Sequence, residues 1–197
     1  MRPFFWICYS TLLLCVSCGR SGTDPAPISE PPPAEIAVAP QIGGGEDWPF
    51  SGGDVESTYF SRLEQINRKN VSELGLAWEF PLHTNRGQEA TPIVIDGLMV
   101  TSSTAGRVFA LNAVTGELIW RFDPVVDMQV NRTVCCDMVN RGVAVANGRV
   151  FVGALDGVLY ALDLKSGNVL WQADTAEGSS RGINITGAPE VAGDVVI

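Results

Sequence analysis

From Pro92 to Phe122 the chain alternates between short apolar runs and small polar or glycine-bearing breaks. Pro92-Ile93-Val94-Ile95 leads to Asp96-Gly97 and then to the run Leu98 to Ser102. Ala105-Gly106 precedes Val108-Phe109-Ala110-Leu111. A polar stretch from Asn112 to Gly116 separates this from Glu117 to Phe122. Runs this short are of strand length, and Asp-Gly between two of them is the signal of a two-residue hairpin. The pattern therefore predicts four short antiparallel strands joined by tight turns. A further apolar run, Leu76 to Pro81, predicts a strand of its own ahead of them.

The same order recurs 51 residues later, through Asn147-Gly148, Asp156-Gly157 and Ser166-Gly167. The repeat is clearest at its end. Ala110-Leu111-Asn112-Ala113-Val114-Thr115-Gly116-Glu117-Leu118-Ile119-Trp120 aligns with Ala161-Leu162-Asp163-Leu164-Lys165-Ser166-Gly167-Asn168-Val169-Leu170-Trp171. A third copy begins at Ala188-Pro189-Glu190-Val191. Four short strands repeated at this period form the signature of a β-propeller blade, and the closing Trp supplies a flat surface on which the next blade can dock. A β-sandwich with coincidental turns would not keep so regular a register. The expected fold is all-β: the N-terminal part of a β-propeller, with about two complete four-stranded blades plus partial ones. Two blades cannot close a ring, so the chain reads as the first piece of something longer.

Composition narrows the function. Thirteen basic against 22 acidic residues give a net charge of −9 over 197 residues, which argues against a nucleic-acid partner. His83 is the sole histidine of the sequence, so a multi-histidine metal site cannot be assembled from it. It falls in a polar stretch and reads as a loop residue. No glycine-rich phosphate loop opens a helix.

The N-terminus adds an address. Met1-Arg2-Pro3, an apolar run from Phe4 to Val16 and then Ser17-Cys18-Gly19 give residues 1–18 the form of a signal peptide. Its end is also similar to a lipoprotein signal, with Cys18 as the residue that would carry the lipid. Ordinary cleavage and lipidation both remain open. Residues 19–45 hold six of the 12 prolines and end in Gly43-Gly44-Gly45, the composition of a disordered tether. Residues 46–197 form the propeller part. The expected location is the periplasm or cell envelope, with membrane attachment if Cys18 is lipidated.

These residues resemble the quinoprotein dehydrogenases that use pyrroloquinoline quinone (PQQ), in particular the alcohol and methanol dehydrogenases. The Ala-to-Trp pattern is similar to that family's tryptophan-docking motif. Asp47-Trp48-Pro49, Gly52-Gly53-Asp54, Gln65-Ile66-Asn67 and Ala77-Trp78 look like its opening. The most specific resemblance is Cys135-Cys136-Asp137 followed by Val139-Asn140-Arg141-Gly142. The resemblance implies an eight-bladed propeller. It also implies a disulfide between Cys135 and Cys136 that packs on the PQQ plane; without the family context, two reduced neighbours are the plainer reading. Arg141 resembles the arginine that holds PQQ, and a planar five-donor cation suits a cofactor with three carboxylates and an ortho-quinone. Glu89, in Glu89-Ala90-Thr91-Pro92, resembles the family's cofactor-contacting glutamate, and Thr186 its cofactor-binding threonine.

The resemblance further implies a calcium or lanthanide ion beside the cofactor, a small alcohol as substrate and a cytochrome c-type electron acceptor. Family positions for the metal ligands and the catalytic aspartate are expected beyond Ile197, so no catalytic or metal residue is named here. A competing reading is a non-enzymatic propeller lipoprotein that acts as an envelope scaffold. The Cys135-Cys136 pair, Arg141 and Glu89 favour the enzyme.

Overall fold

A computed structural model describes residues 47–126, 134, 137–175 and 183–197. The expected signal segment 1–18, with Cys18, and the tether 19–45 lie outside the described residues. The first sheet contains β1 (Ile93–Ile95), β2 (Leu98–Ser103), β3 (Arg107–Asn112) and β4 (Leu118–Phe122), ordered as in the sequence. The second contains β5 (Ala144–Ala146), β6 (Arg149–Gly153), β7 (Val158–Asp163) and β8 (Val169–Asp174), again in order. A two-stranded hairpin follows, β9 (Val191–Ala192) and β10 (Val195–Val196). Every pairing is antiparallel. Each four-stranded meander is a propeller blade, as the repeat predicts.

The turns form for local reasons. Asp96 and Gly97 have φ of 50° and 74°, and Asn147 and Gly148 have 51° and 71°. Both central residues are thus left-handed, as the two-residue hairpin that matches strand twist requires. The register confirms the loop length, with Ile95 opposite Leu98 and Ala146 opposite Arg149. Both blades carry a register shift at the same repeat position, between Ala110 and Leu111 and between Ala161 and Leu162. The shift leaves Ile119 as the extra residue between Leu118 and Trp120, so the strand turns its indole inward while both neighbours stay exposed.

The core lies at the seam between the blades. Ile93, Val100, Val108, Ala110 and Trp120 from the first blade pack with Val150, Val152, Tyr160 and Leu162 from the second. Phe122 and Tyr160 meet across it with ring centroids 5.1 Å apart. The Trp120 Nε1–H donates to the Leu164 carbonyl at 2.9 Å. One repeat earlier, Trp78 donates to the Ala113 carbonyl at 3.2 Å. The expected docking role of the fourth-strand Trp therefore holds for Trp120, and Trp78 shares it.

One expectation fails. Residues 76–81, read as a strand, form no β-ladder. An apolar run becomes a strand only where a neighbour exchanges backbone hydrogen bonds, and no described residue does so here. Trp78 docks nonetheless, because its anchor is the indole and not a ladder.

Candidate cofactor site

Each blade is entered by a short segment leading into its first strand. Glu89 precedes β1, Arg141 precedes β5 and Thr186 precedes β9. They are distant in sequence, and the stacking of successive units brings them together. Arg141 Nη2 lies 2.9 Å from Glu89 Oε2. Its Nη1 donates to Thr186 Oγ1 at 2.9 Å and, at 3.5 Å, to the Thr186 carbonyl. The Arg141 backbone N–H donates to that same carbonyl at 2.9 Å. Three of the five residues expected at the cofactor thus form one cluster. The other two, Cys135 and Cys136, lie outside the described residues.

The Glu89–Arg141 pair is open, with side-chain exposures of 44% and 42%. An ion pair this exposed contributes about 0–1 kcal/mol to stability, so its main effect is to orient the guanidinium. Backbone anchoring does more. The Asn140 side chain, only 2% exposed, accepts from the Gly142 N–H at 3.1 Å. Gly142 itself has φ of 138°, a conformation in which a side chain is strained. Next to the cysteine pair, Asp137 is left-handed with φ of 65°, and its carboxylate takes Arg86 Nη1 at 2.6 Å.

Sequence reasoning missed Asn140 as more than context for Arg141, and it missed the Arg86–Asp137 pair. The first could have been found by aligning the hairpin turns. The second has no local signal. His83 sits in a loop, as expected, with φ of 52°. It lines a cavity of about 280 Å³ with Thr84, Arg86, Thr104, Arg107 and Asp123. Both arginines of that cavity are already engaged, Arg86 by Asp137 and Arg107 by Asp123, each at 2.6 Å. Among the described residues, no group of three or more His, Cys, Asp or Glu side chains is gathered to hold a metal ion.

The donor set fits a planar polycarboxylate. Arg141 offers several N–H donors in one plane, two of its nitrogens already oriented, and its exposed side remains accessible. Thr186 adds a hydroxyl and Glu89 an acceptor for a ring N–H. The carboxylate also balances the guanidinium charge, so the cluster selects by hydrogen-bond geometry as well as by charge.

Comparison with known proteins finds relatives that match over most of the chain. Residues 48–182 match the family described as PQQ: Glucose/ethanol/alcohol dehydrogenase, beta-propeller domain. A quinohemoprotein alcohol dehydrogenase of Comamonas testosteroni is 45% identical over 177 residues, covering 84% of this chain and 25% of that protein. The crystal structure from that organism superposes with a TM-score of 0.72 at 49% identity, over 74% of this chain and 22% of the other. A 1-butanol dehydrogenase (cytochrome c) of Thauera butanivorans is 45% identical over 157 residues, covering 79% and 23%. A europium-containing methanol dehydrogenase matches with a TM-score of 0.71 at 40% identity, over 76% and 26%. The chain spans about a quarter of the length of these curated relatives.

Proposed function

The chain belongs to the PQQ-using glucose/ethanol/alcohol dehydrogenase β-propeller family, and from that premise we propose that it supplies one wall of the cofactor site of a quinoprotein alcohol dehydrogenase. The observation that carries this reading is the convergence of Glu89 and Thr186 on the Arg141 guanidinium. Arg141 binds the cofactor's anionic edge. Glu89 and Thr186 hold the guanidinium in one orientation, so that little side-chain freedom remains to be lost when the cofactor arrives. The disulfide between Cys135 and Cys136 that the family resemblance implies would supply a ring for the cofactor plane to pack on.

PQQ, when bound, would supply the two-electron acceptor for oxidation of an alcohol. This chain's residues bind and orient that acceptor. No proton-accepting base is assigned among the described residues. A calcium or lanthanide ion would accompany the cofactor; among the described residues, no His, Cys, Asp or Glu group gathers to hold it. Electrons pass on to a cytochrome c-type acceptor, a reading supported by the name of the Thauera relative. The net charge of −9 favours a basic partner. The protein acts in the periplasm or cell envelope, in keeping with the signal-like residues 1–18, and a lipid on Cys18 would fix it to a membrane.

The test is Arg141→Ala in the full-length protein, with PQQ affinity measured by equilibrium dialysis and alcohol oxidation by dye reduction. Loss of charge-assisted bonds predicts about ten- to a hundredfold weaker binding in a folded protein. Unchanged affinity would remove Arg141 from the site. Intact mass after alkylation, with and without reductant, reads the Cys135–Cys136 ring on the same preparation; two freely alkylated thiols would rule it out.

A further inference from the structure

Glu89, Asn140 and Thr186 occupy one position repeated three times. The last residues of the three first strands are Ile95, Ala146 and Ala192, which pair across their hairpins with Leu98, Arg149 and Val195. Counting back by the same number of residues from each gives Glu89, Asn140 and Thr186. Two of these side chains reach Arg141. The third, Asn140, immediately precedes Arg141 and is buried.

Its contacts define what it does. Asn140 Oδ1 accepts from Ser102 Oγ at 2.5 Å and from the Gly142 N–H at 3.1 Å. Asn140 Nδ2 donates to the Gly153 carbonyl at 2.9 Å. Ser102 lies on β2 of the first blade, Gly153 ends β6 of the second, and Gly142 follows Arg141. The amide orientation is fixed chemically, because a backbone N–H can only donate and a carbonyl can only accept. No other side chain of this size provides both functions. Aspartate would set its carboxylate against the Gly153 carbonyl.

We propose that Asn140 is a positioning residue for PQQ: it clamps the backbone on both sides of Arg141 to two adjacent blades, so that the guanidinium stands preformed between Glu89 and Thr186. This rests on Arg141 being the cofactor's arginine. The clamp acts on the backbone flanks, while Glu89 and Thr186 act on the side chain. The Arg141 N–H bond to Thr186 secures the segment from the third unit. A long, exposed arginine held at its base and at its tip has little freedom left to lose on binding.

The experiment is a double-mutant cycle in the full-length protein. Asn140→Ala and Asn140→Asp are made alone and with Arg141→Ala. PQQ dissociation constants are measured by dialysis at a temperature where each apo protein is folded, and apo unfolding midpoints are recorded separately. Asn140→Ala should weaken PQQ binding roughly three- to tenfold, the equivalent of about one net hydrogen bond. In the Arg141→Ala background it should cause no further loss of affinity, although its effect on the unfolding midpoint persists. A merely structural residue would shift the midpoint and leave the dissociation constant within twofold, or would weaken binding equally in both backgrounds. Either result overturns the proposal. If Asn140 variants do not fold, Ser102→Ala removes one arm of the clamp and is put through the same cycle, with the same outcome deciding. An Arg141→Ala protein that binds PQQ normally would instead overturn the reading of the site.

Discussion

The indole of Trp120 lies on Gly167 so closely that a Cβ added to that glycine would come within 2.6 Å of the ring. Trp78 stands to Gly116 in the same way, at 2.5 Å. Gly97 is a natural control: its φ of 74° equals that of Gly116, but nothing lies within 4 Å of an added Cβ. Gly97→Ala should therefore cost only the left-handed backbone strain, about 1–2 kcal/mol. Gly116→Ala and Gly167→Ala should cost a further 1–3 kcal/mol or so from overpacking against the indole. Chemical unfolding of the three variants checks this. Equal losses at all three sites would mean that the tryptophans do not bear on the glycines.

Ser102 and Ser103 are adjacent, equally buried and differently employed. Ser102 Oγ donates to Asn140, whereas Ser103 Oγ has no hydrogen-bond partner among the described residues. Ser102→Ala removes a made bond and should destabilise by about 1 kcal/mol. Ser103→Ala removes a desolvated hydroxyl and should be neutral or stabilising. Urea midpoints of the pair test the contrast, and a larger loss at Ser103 would contradict it.

The turn after β7 should give way in acid, while its counterpart after β3 should not. Asp163 Oδ1 accepts from Ser166 Oγ at 2.7 Å, from Ser166 N–H at 2.8 Å and from Lys165 N–H at 3.2 Å. These bonds, led by the Ser166 hydroxyl, hold the carboxyl below the usual aspartate value. A carboxyl with a depressed folded pKa stabilises the fold above its unfolded pKa, and that stability is lost as pH falls through the folded value. In the first blade the same place is taken by Asn112, whose Oδ1 accepts from Val114 and Thr115 N–H at 2.9 and 3.0 Å through a side chain that does not titrate. Asp163→Asn should therefore flatten the fall in unfolding temperature below about pH 4 and leave neutral-pH stability little changed. Unfolding midpoints taken across that range decide it; an unaltered acid limb would contradict the assignment.

The blades were legible in the sequence because their determinants are local. Asp96-Gly97 and Asn147-Gly148 state their turn type within two residues, and the alternation of apolar runs and breaks sets the strand order. The failed strand at residues 76–81 shows the limit of that signal. An apolar run has the propensity for a strand, but its ladder belongs to whatever lies beside it. The bulges that expose Ile119 and bury Trp120 also escaped, since they depend on pairing between strands. At the site, Glu89, Arg141 and Thr186 carry no local mark that separates them from ordinary loop residues. Only the family resemblance selected them, and only the stacked units brought them into contact. The position of Asn140 could be read by aligning the hairpin turns, but its role could not, since its partners Ser102 and Gly153 lie on two different sheets.

In both docked pairs the tryptophan precedes its glycine along the chain: Trp78 comes before Gly116 and Trp120 before Gly167. Contacts between consecutive units keep contact order low for an all-β protein. They also give assembly a direction. When the glycine turn of a blade leaves the ribosome, the indole it needs has already been made. Each finished unit can cover the apolar flank of the one before it, without waiting for the rest of the polypeptide. Such a chain can fold as it is synthesised, leaving one unsatisfied edge at a time exposed to aggregation.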